Sequence, residues 1–272
     1  MNLKISSIGV VSHPEVDRRI VEKIVEILKS TNKKLFFDPV TAEKVRKKST
    51  EVRNMNVDLI IVLGGDGTLL WTANEIRKDQ LLLGINTGRV GYMTEIRADE
   101  LSKRLNSLLN GKFFIDSRIK LRVNKKHEAL NEVHIMAKRP SHLLEFSINL
   151  NNIEIACFRA DGVMVSTPTG STAHSLSLGG PIVHSDTEAF AIVPMNPFML
   201  EQAPIVVPNS SKISIKPLRK NSDAHLILDG KVVDEIKPNE EALIEKAKRT
   251  VNFVRFSENF KNEYINIRKK RT

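Results

Sequence analysis

Cysteine is almost absent from this 272-residue chain. Cys157 is the single one, so no intrachain disulfide can form, and a reducing, cytoplasmic setting is expected. Aromatic residues make up only 5%, with Trp71 the sole tryptophan. Neither a Cys/His finger spacing nor a basic-aromatic ribonucleoprotein signature is present, and nucleic acid is not expected as a partner. That holds despite 42 Lys+Arg against 32 Asp+Glu, a formal charge of +10. The basic residues are dispersed, apart from Arg268-Lys269-Lys270-Arg271, which reads as a solvated chain end. Apolar runs are no longer than Leu59 to Leu63, far short of the ~20 residues a membrane-spanning helix needs. The opening Met1 to Ser7 lacks the apolar core of a secretory signal, so neither a membrane nor secretion is expected. The seven histidines show no HExxH or paired spacing, and no protein-bound zinc is expected.

What is present is an ordinary globular balance, 41% apolar and 27% charged, on a chain long enough for one large domain or two modest ones. The first third alternates strand and helix. Ile5 to Val11 reads as a buried strand; Pro14 opens a helix with an apolar stripe of Val16, Ile20, Val21, Ile24, Val25 and Leu28. Leu35 to Phe37 is a short strand, and the polar stretch Ala42 to Asn56 is read as helical. Val57 to Leu63 is a strand running into Gly64-Gly65-Asp66-Gly67-Thr68, where a helix begins through Leu69, Leu70, Ala73 and Ile76. Leu81 to Ile85 is a further strand, and Leu101, Leu105, Leu108 and Leu109 mark a helix stopped by Gly111. Strands that are apolar throughout and separated by helices indicate a parallel sheet covered on both faces.

Beyond residue 112 the period becomes two. Ile119, Leu121 and Val123 alternate with basic residues, and Phe146, Ile148 and Leu150 repeat the pattern. Asn151-Asn152 and Asp229-Gly230 suit tight hairpin turns. The expected fold is an α/β N-terminal domain with a parallel sheet, followed by a mostly antiparallel β domain. The boundaries are 1–111 and 112–249, with 250–272 completing the first domain through a closing strand, Thr250 to Phe256.

Two constellations carry chemistry. Gly64-Gly65-Asp66-Gly67-Thr68 joins a strand to a helix, where glycines admit a ligand to the backbone and the free N–H groups at the helix start favour phosphate. A carboxylate there repels phosphate, so the presence of Asp66 calls for a reason. It holds magnesium, or it accepts a proton from a hydroxyl that attacks phosphorus. The second constellation runs from Asp161-Gly162 through Ser166-Thr167-Pro168-Thr169-Gly170-Ser171-Thr172-Ala173-His174 to Gly179-Gly180-Pro181. Its hydroxyls and amides read as a hydrogen-bonding surface for ribose, amide and phosphate groups.

With Thr87-Gly88-Arg89-Val90-Gly91-Tyr92 and the pair Asn131-Glu132, these motifs follow the order found in the NAD kinase family, which the chain resembles over positions 64 to 181. GGDGT alone is shared with lipid kinases; the STPTGST block is the more discriminating. The resemblance implies phosphoryl transfer from ATP, or another donor such as polyphosphate, to the adenosine-ribose 2′-hydroxyl of NAD. Asp66 matches the catalytic aspartate. Gly64, Gly65, Gly67 and Thr68 match the phosphate loop, Tyr92 the end of the second motif, and Asn131 and Glu132 the contacts to ribose hydroxyls. Asp161 matches the aspartate near the nicotinamide; Thr172, Ala173, His174 and Ser177 belong to the loop embracing the dinucleotide; Arg159 and His142 fall where relatives place further contacts. Magnesium is implied with the donor, and a homodimer or homotetramer as the assembly.

The chain departs from the family at His174, where relatives carry tyrosine, and at Val193 to Phe198, which replaces a PICPHS-like run. Cys157 reads as a buried thiol, Trp71 as core packing and Lys231 as a solvated hairpin residue. Two alternatives stand beside the kinase: a lipid kinase sharing the donor loop, which would need an apolar acceptor cleft, and a non-catalytic NAD(P)-binding sensor, against which Asp66 argues.

Overall fold

The computed structural model describes residues 5–88, 91–139, 142–199, 201–218 and 223–258. The described residues divide into two compact units, one formed by those up to Arg118 together with 250–258, the other by those within Ile119–Arg249.

The first unit runs β1 (Ser7–Ser12), α1 (Arg18–Lys29), β2 (Lys34–Phe37), α2 (Pro39–Val45), β3 (Leu59–Gly64), α3 (Asp66–Glu75), β4 (Leu81–Asn86), β5 (Ile96–Arg97), α4 (Leu101–Leu109) and β6 (Phe114–Arg118), and takes in a last strand, Val251–Arg255. The order β2-β1-β3-β4, the last strand, β6 makes a sheet of seven strands with β5 beside β4. Every pairing is parallel except that of β6 with Val251–Arg255. β3 and β4 are buried at every position, which is why their sequences are continuously apolar rather than alternating.

Several boundaries differ from the expectation. α1 begins at Arg18 rather than Pro14, because the Asp17 carboxylate caps the Arg19 N–H at 2.7 Å. The stretch read as helical over 42–56 holds only α2 and a single 3₁₀ turn, Val52–Asn54, since Arg46 turns left-handed (φ 52°) and closes α2. The chain leaves the first unit after Arg118, not at 111, because β6 pairs along its whole length with Val251–Arg255. Of the segment 250–272 expected to complete this domain, 259–272 lie outside the described residues.

The second unit consists of β7 (Leu121–Val123), β8 (His127–Ala129), β9 (Glu132–Ala137), β10 (Leu144–Leu150), β11 (Ile153–Ala160), β12 (Gly162–Ser166), α5 (His174–Ser177), β13 (Ala189–Met195), β14 (Ile205–Pro208), β15 (Ile213–Pro217), β16 (Ala224–Leu228), β17 (Lys231–Ile236) and β18 (Ala242–Lys246); Val251–Arg255 is β19. Two six-stranded antiparallel sheets result, β11-β10-β15-β18-β7-β8 and β14-β13-β12-β9-β16-β17. Leu121, Phe146 and Ile215 of the first join Val133, Val163, Phe190 and Leu226 of the second in one buried core. The hairpin turns have the positive φ that Asn and Asp tolerate: Asn151 and Asn152 at 51° and 70°, Asp229 at 47° before Gly230 at 80°. Cys157 is exposed rather than buried, because it alternates with the buried Phe158 and Ala160 and so falls on the opposite face of β11. Partial desolvation, then Glu145 and Glu154, push its thiol pKa up, away from nucleophilic behaviour. No helix of the described residues is long and apolar enough to cross a membrane.

Candidate active site

In the first unit the strand order reverses between β1 and β3, the point at which open α/β sheets place ligands beyond the carboxyl ends of their strands. A cavity of about 930 Å³ lies there, walled by Ser12 and His13 at the end of β1, by Asp38, by Gly64, Gly65, Gly67 and Thr68, and by Trp71. Trp71 is 37% exposed, a cavity wall and not the core residue the sequence suggested. Gly65 caps α3 without any side-chain bond, and no atom approaches the Cβ positions of Gly65 or Gly67, so there is open space beside the start of the helix, whose first N–H groups lack intrahelical acceptors. Ser12 Oγ is buried with no hydrogen-bond partner among the described residues. The β1–α1 loop is fixed by Lys44, whose ammonium donates to the carbonyls of His13, Pro14 and Val16 at 3.0, 2.8 and 2.7 Å. Burial lowers the Lys44 pKa, with Asp38 opposing.

Asp66 does not line that cavity. It opens α3 and accepts hydrogen bonds from the next motif: Tyr92 N–H to Oδ2 at 2.6 Å, Met93 N–H and Thr94 N–H to Oδ1 at 2.9 and 3.3 Å. The carboxylate therefore has a structural role that the sequence did not disclose, pinning the 92–94 backbone to the start of α3. A Cβ on Gly91 would lie 2.1 Å from Asp66 Oδ1, so the glycine is the space into which the carboxylate fits. Arg89 and Val90 of the same motif lie outside the described residues.

The other residues singled out from the sequence belong to the second unit. Asn131 and Glu132 enter β9 nearly buried, and Asn131 Oδ1 and Glu132 Oε2 have no hydrogen-bond partner among the described residues. His134, two residues on and so on the same strand face, is 4% exposed with Nε2 3.7 Å from Glu132 Oε1. Its ring meets His174 edge-on, centroids 5.0 Å apart at 73°. Sequence reasoning missed His134, although its alternation with Glu132 was a readable signal.

Much of the hydroxyl block turns inward, contrary to its reading as a ligand surface. Thr167 Oγ1 donates to Leu130 O at 2.7 Å and accepts from Gly170 N–H. Ser171 Oγ donates to Pro168 O and accepts from Val183 N–H. Such short side chains satisfy backbone groups in a segment without a sheet ladder. A Cβ on Gly170 would strike Asn131 O at 2.1 Å, which brings this segment against the Asn131-Glu132 pair. Thr172 and Ala173 are half-buried, and His174 and Ser177 on α5 are exposed. Asp161, between β11 and β12, accepts from Asn196 Nδ2 at 2.9 Å. Arg159 on β11 lies 5.3 Å over the Phe198 ring, and His142 is exposed.

Two family models match the chain, the ATP-NAD kinase N-terminal domain over residues 8–113 and the ATP-NAD kinase C-terminal domain over 130–256. This chain belongs to the NAD kinase family. It is 37% identical to the NAD kinase of Methanothermobacter thermautotrophicus, over 97% of this chain and 95% of that protein, and 36% identical to that of Thermococcus gammatolerans, over 94% and 96%. The crystal structure of an NAD kinase from Archaeoglobus fulgidus in complex with ATP superposes with a TM-score of 0.82, at 25% identity over 96% of this chain and 98% of that one. As an NAD kinase the chain is a phosphotransferase that converts NAD to NADP, and the lipid-kinase and sensor alternatives fall away.

Proposed function

We propose that this chain carries out the NAD kinase reaction with the start of α3 receiving the donor phosphates and with Asn131 and Glu132 holding the acceptor ribose. The observation that carries this reading is the pair of buried oxygen atoms, Asn131 Oδ1 and Glu132 Oε2, without partners among the described residues. Both accept hydrogen bonds, and neighbouring ribose hydroxyls donate them. Leaving such atoms unpaired is costly, so the acceptor sugar gains what the protein alone forgoes.

On the donor side, the N–H groups at the start of α3, beside the unobstructed Gly65 and Gly67, receive phosphate oxygens. The adjoining cavity has room for a nucleoside, which favours ATP over bare polyphosphate. Asp66 accepts the proton of the attacking 2′-hydroxyl. Its two oxygens offer about four lone-pair sites, and three are taken by amides, which fixes the carboxylate and leaves one for the substrate. A divalent cation such as magnesium would neutralise charge on the donor phosphates, and Asn131 Oδ1 and Glu132 Oε2 are hard oxygens that would hold it. His174 packs on the acceptor's flat ring. The chain assembles as a homodimer or homotetramer.

The test is incubation of the purified protein with NAD, magnesium and either ATP or polyphosphate, followed by chromatography. NADP is expected with ATP. NADP from polyphosphate alone would overturn the donor reading, and raised NAD KM in neither Asn131→Ala nor Glu132→Gln would overturn the ribose assignment.

A further inference from the structure

Asp229 sits in the β16–β17 turn, where the sequence asks of it only that it tolerate positive φ (47°) before Gly230. Asparagine would serve that turn as well. The structure assigns it more. Its carboxylate accepts three consecutive backbone N–H groups: Leu130 to Oδ2 at 2.8 Å, Asn131 to Oδ1 at 2.8 Å and Glu132 to Oδ1 at 3.1 Å. Its own N–H donates to Glu132 O at 3.1 Å. From the other side, Thr167 Oγ1 donates to Leu130 O and Thr167 N–H to Asn131 O, at 2.7 and 2.9 Å.

The segment 130–132 is therefore held through its backbone on both sides, while Asn131 Oδ1 and Glu132 Oε2 stay without partners among the described residues. Three N–H donors converging on one side chain require an acceptor at every position. A carboxylate supplies that; an amide of the same shape turns its NH₂ toward one of the donors. The turn does not explain the choice of aspartate, whereas the converging amides do. Bonds from N–H to an ionised acceptor are also the stronger kind.

We propose that Asp229 is a positioning residue for acceptor binding: it fixes the backbone from which Asn131 and Glu132 present their free oxygens to the ribose of NAD. The proposal rests on the ribose assignment made above. It separates from a general stabilising role because it concerns one substrate, NAD, and not the donor.

The experiment compares Asp229→Asn and Asp229→Gly, both compatible with the positive φ, with Asn131→Ala, Glu132→Gln and the parent protein. Folding is checked by thermal unfolding, and KM for NAD and for ATP are measured separately. Asp229→Gly is expected to raise the NAD KM about 10- to 100-fold, the range for losing hydrogen bonds to a charged group, with the ATP KM unchanged. Asp229→Asn should fall between it and the parent. An unchanged NAD KM in both Asp229 variants, while Asn131→Ala raises it, overturns the proposal and leaves the ribose assignment standing. Equal rises in both KM values overturn it too, and an unchanged NAD KM in both Asn131→Ala and Glu132→Gln overturns both readings. Hydrogen exchange on the parent protein supplies a reading that needs no variant. The Leu130, Asn131 and Glu132 amides should be protected and slow further with NAD, and exchange at open-loop rates would overturn the proposal.

Discussion

Arg255 Nη1 donates to the carbonyl of Met93 at 2.8 Å, fastening from the last strand the middle residue of the three whose N–H groups hold Asp66. The guanidinium is itself anchored, Nε to Asp116 Oδ2 at 3.0 Å, and Arg118 shares the same carboxylate through Oδ1 at 2.5 Å and Oδ2 at 2.8 Å. All three side chains are 4% exposed. Buried charges of this kind persist only when paired, and removing one partner is far costlier than never having had the group. Asp66 thus stands at the end of a chain of contacts that reaches β6 and β19.

Asp66→Asn should lower turnover by about 10² to 10⁴-fold, the contribution of a placed general base, in a protein that still folds and binds NAD. Steady-state rates with NAD and ATP check this. Turnover within a few-fold of the parent would remove the base assignment, and loss of folding or of NAD binding would make Asp66 purely structural.

Gly91→Ala tests position without altering the carboxylate chemically. The new Cβ would displace the Asp66 side chain, and a misplacement of about 1 Å costs on the order of 10²-fold in rate. A variant with parental kcat would show that the loop yields without moving Asp66.

His174→Ala should weaken NAD binding by about 1–3 kcal/mol, the worth of a ring stacked on a flat base, while His174→Tyr preserves it. Calorimetric titration with NAD decides. The edge contact from His134 braces the ring, so His134→Ala should produce a smaller loss in the same direction. Equal affinity in the parent and both His174 variants would remove the ring from the account.

Asp58 provides a pH signature in the first unit. Partial burial pushes its carboxyl up, but the N–H and O–H groups of Ser6 and Ser7 all donate to Oδ2 and hold it at about 2. A folded-state value below the unfolded one gives stabilisation that is complete above about pH 4 and lost as pH falls toward 2. The side chain is exposed, so solvent screening leaves about 1 kcal/mol. Asp58→Asn should therefore unfold earlier than the parent at pH 7 and match it near pH 2, as read by denaturant titration. A constant gap across that range would show that the hydrogen bonds do not depend on the charge.

Light scattering should report a dimer or tetramer. A concentration-independent monomer of 30.6 kDa would remove the assembly reading.

The sequence by itself determined the architecture. Continuous apolar runs at Leu59 to Leu63 and Leu81 to Ile85 read as strands buried on both faces, and the switch to period two beyond residue 112 as half-buried antiparallel sheet. The glycines of 64–68 were legible for a similar reason, since residue types that neither pack a core nor suit a surface stand out locally, whereas the Asn131-Glu132 pair was legible only through the family resemblance. What only the tertiary structure decided are the relationships between residues remote in the chain. Asp66 receives its amides from 92–94, Asp229 turns from a hairpin residue into the anchor of 130–132, and Thr167 bonds backbone instead of ligand. Trp71 and Cys157 were misjudged because burial depends on what packs opposite a side chain, and a cavity leaves no trace in local pattern. Periodicity reports how one segment meets the core; it carries no information about which distant backbone N–H groups will converge on a given carboxylate.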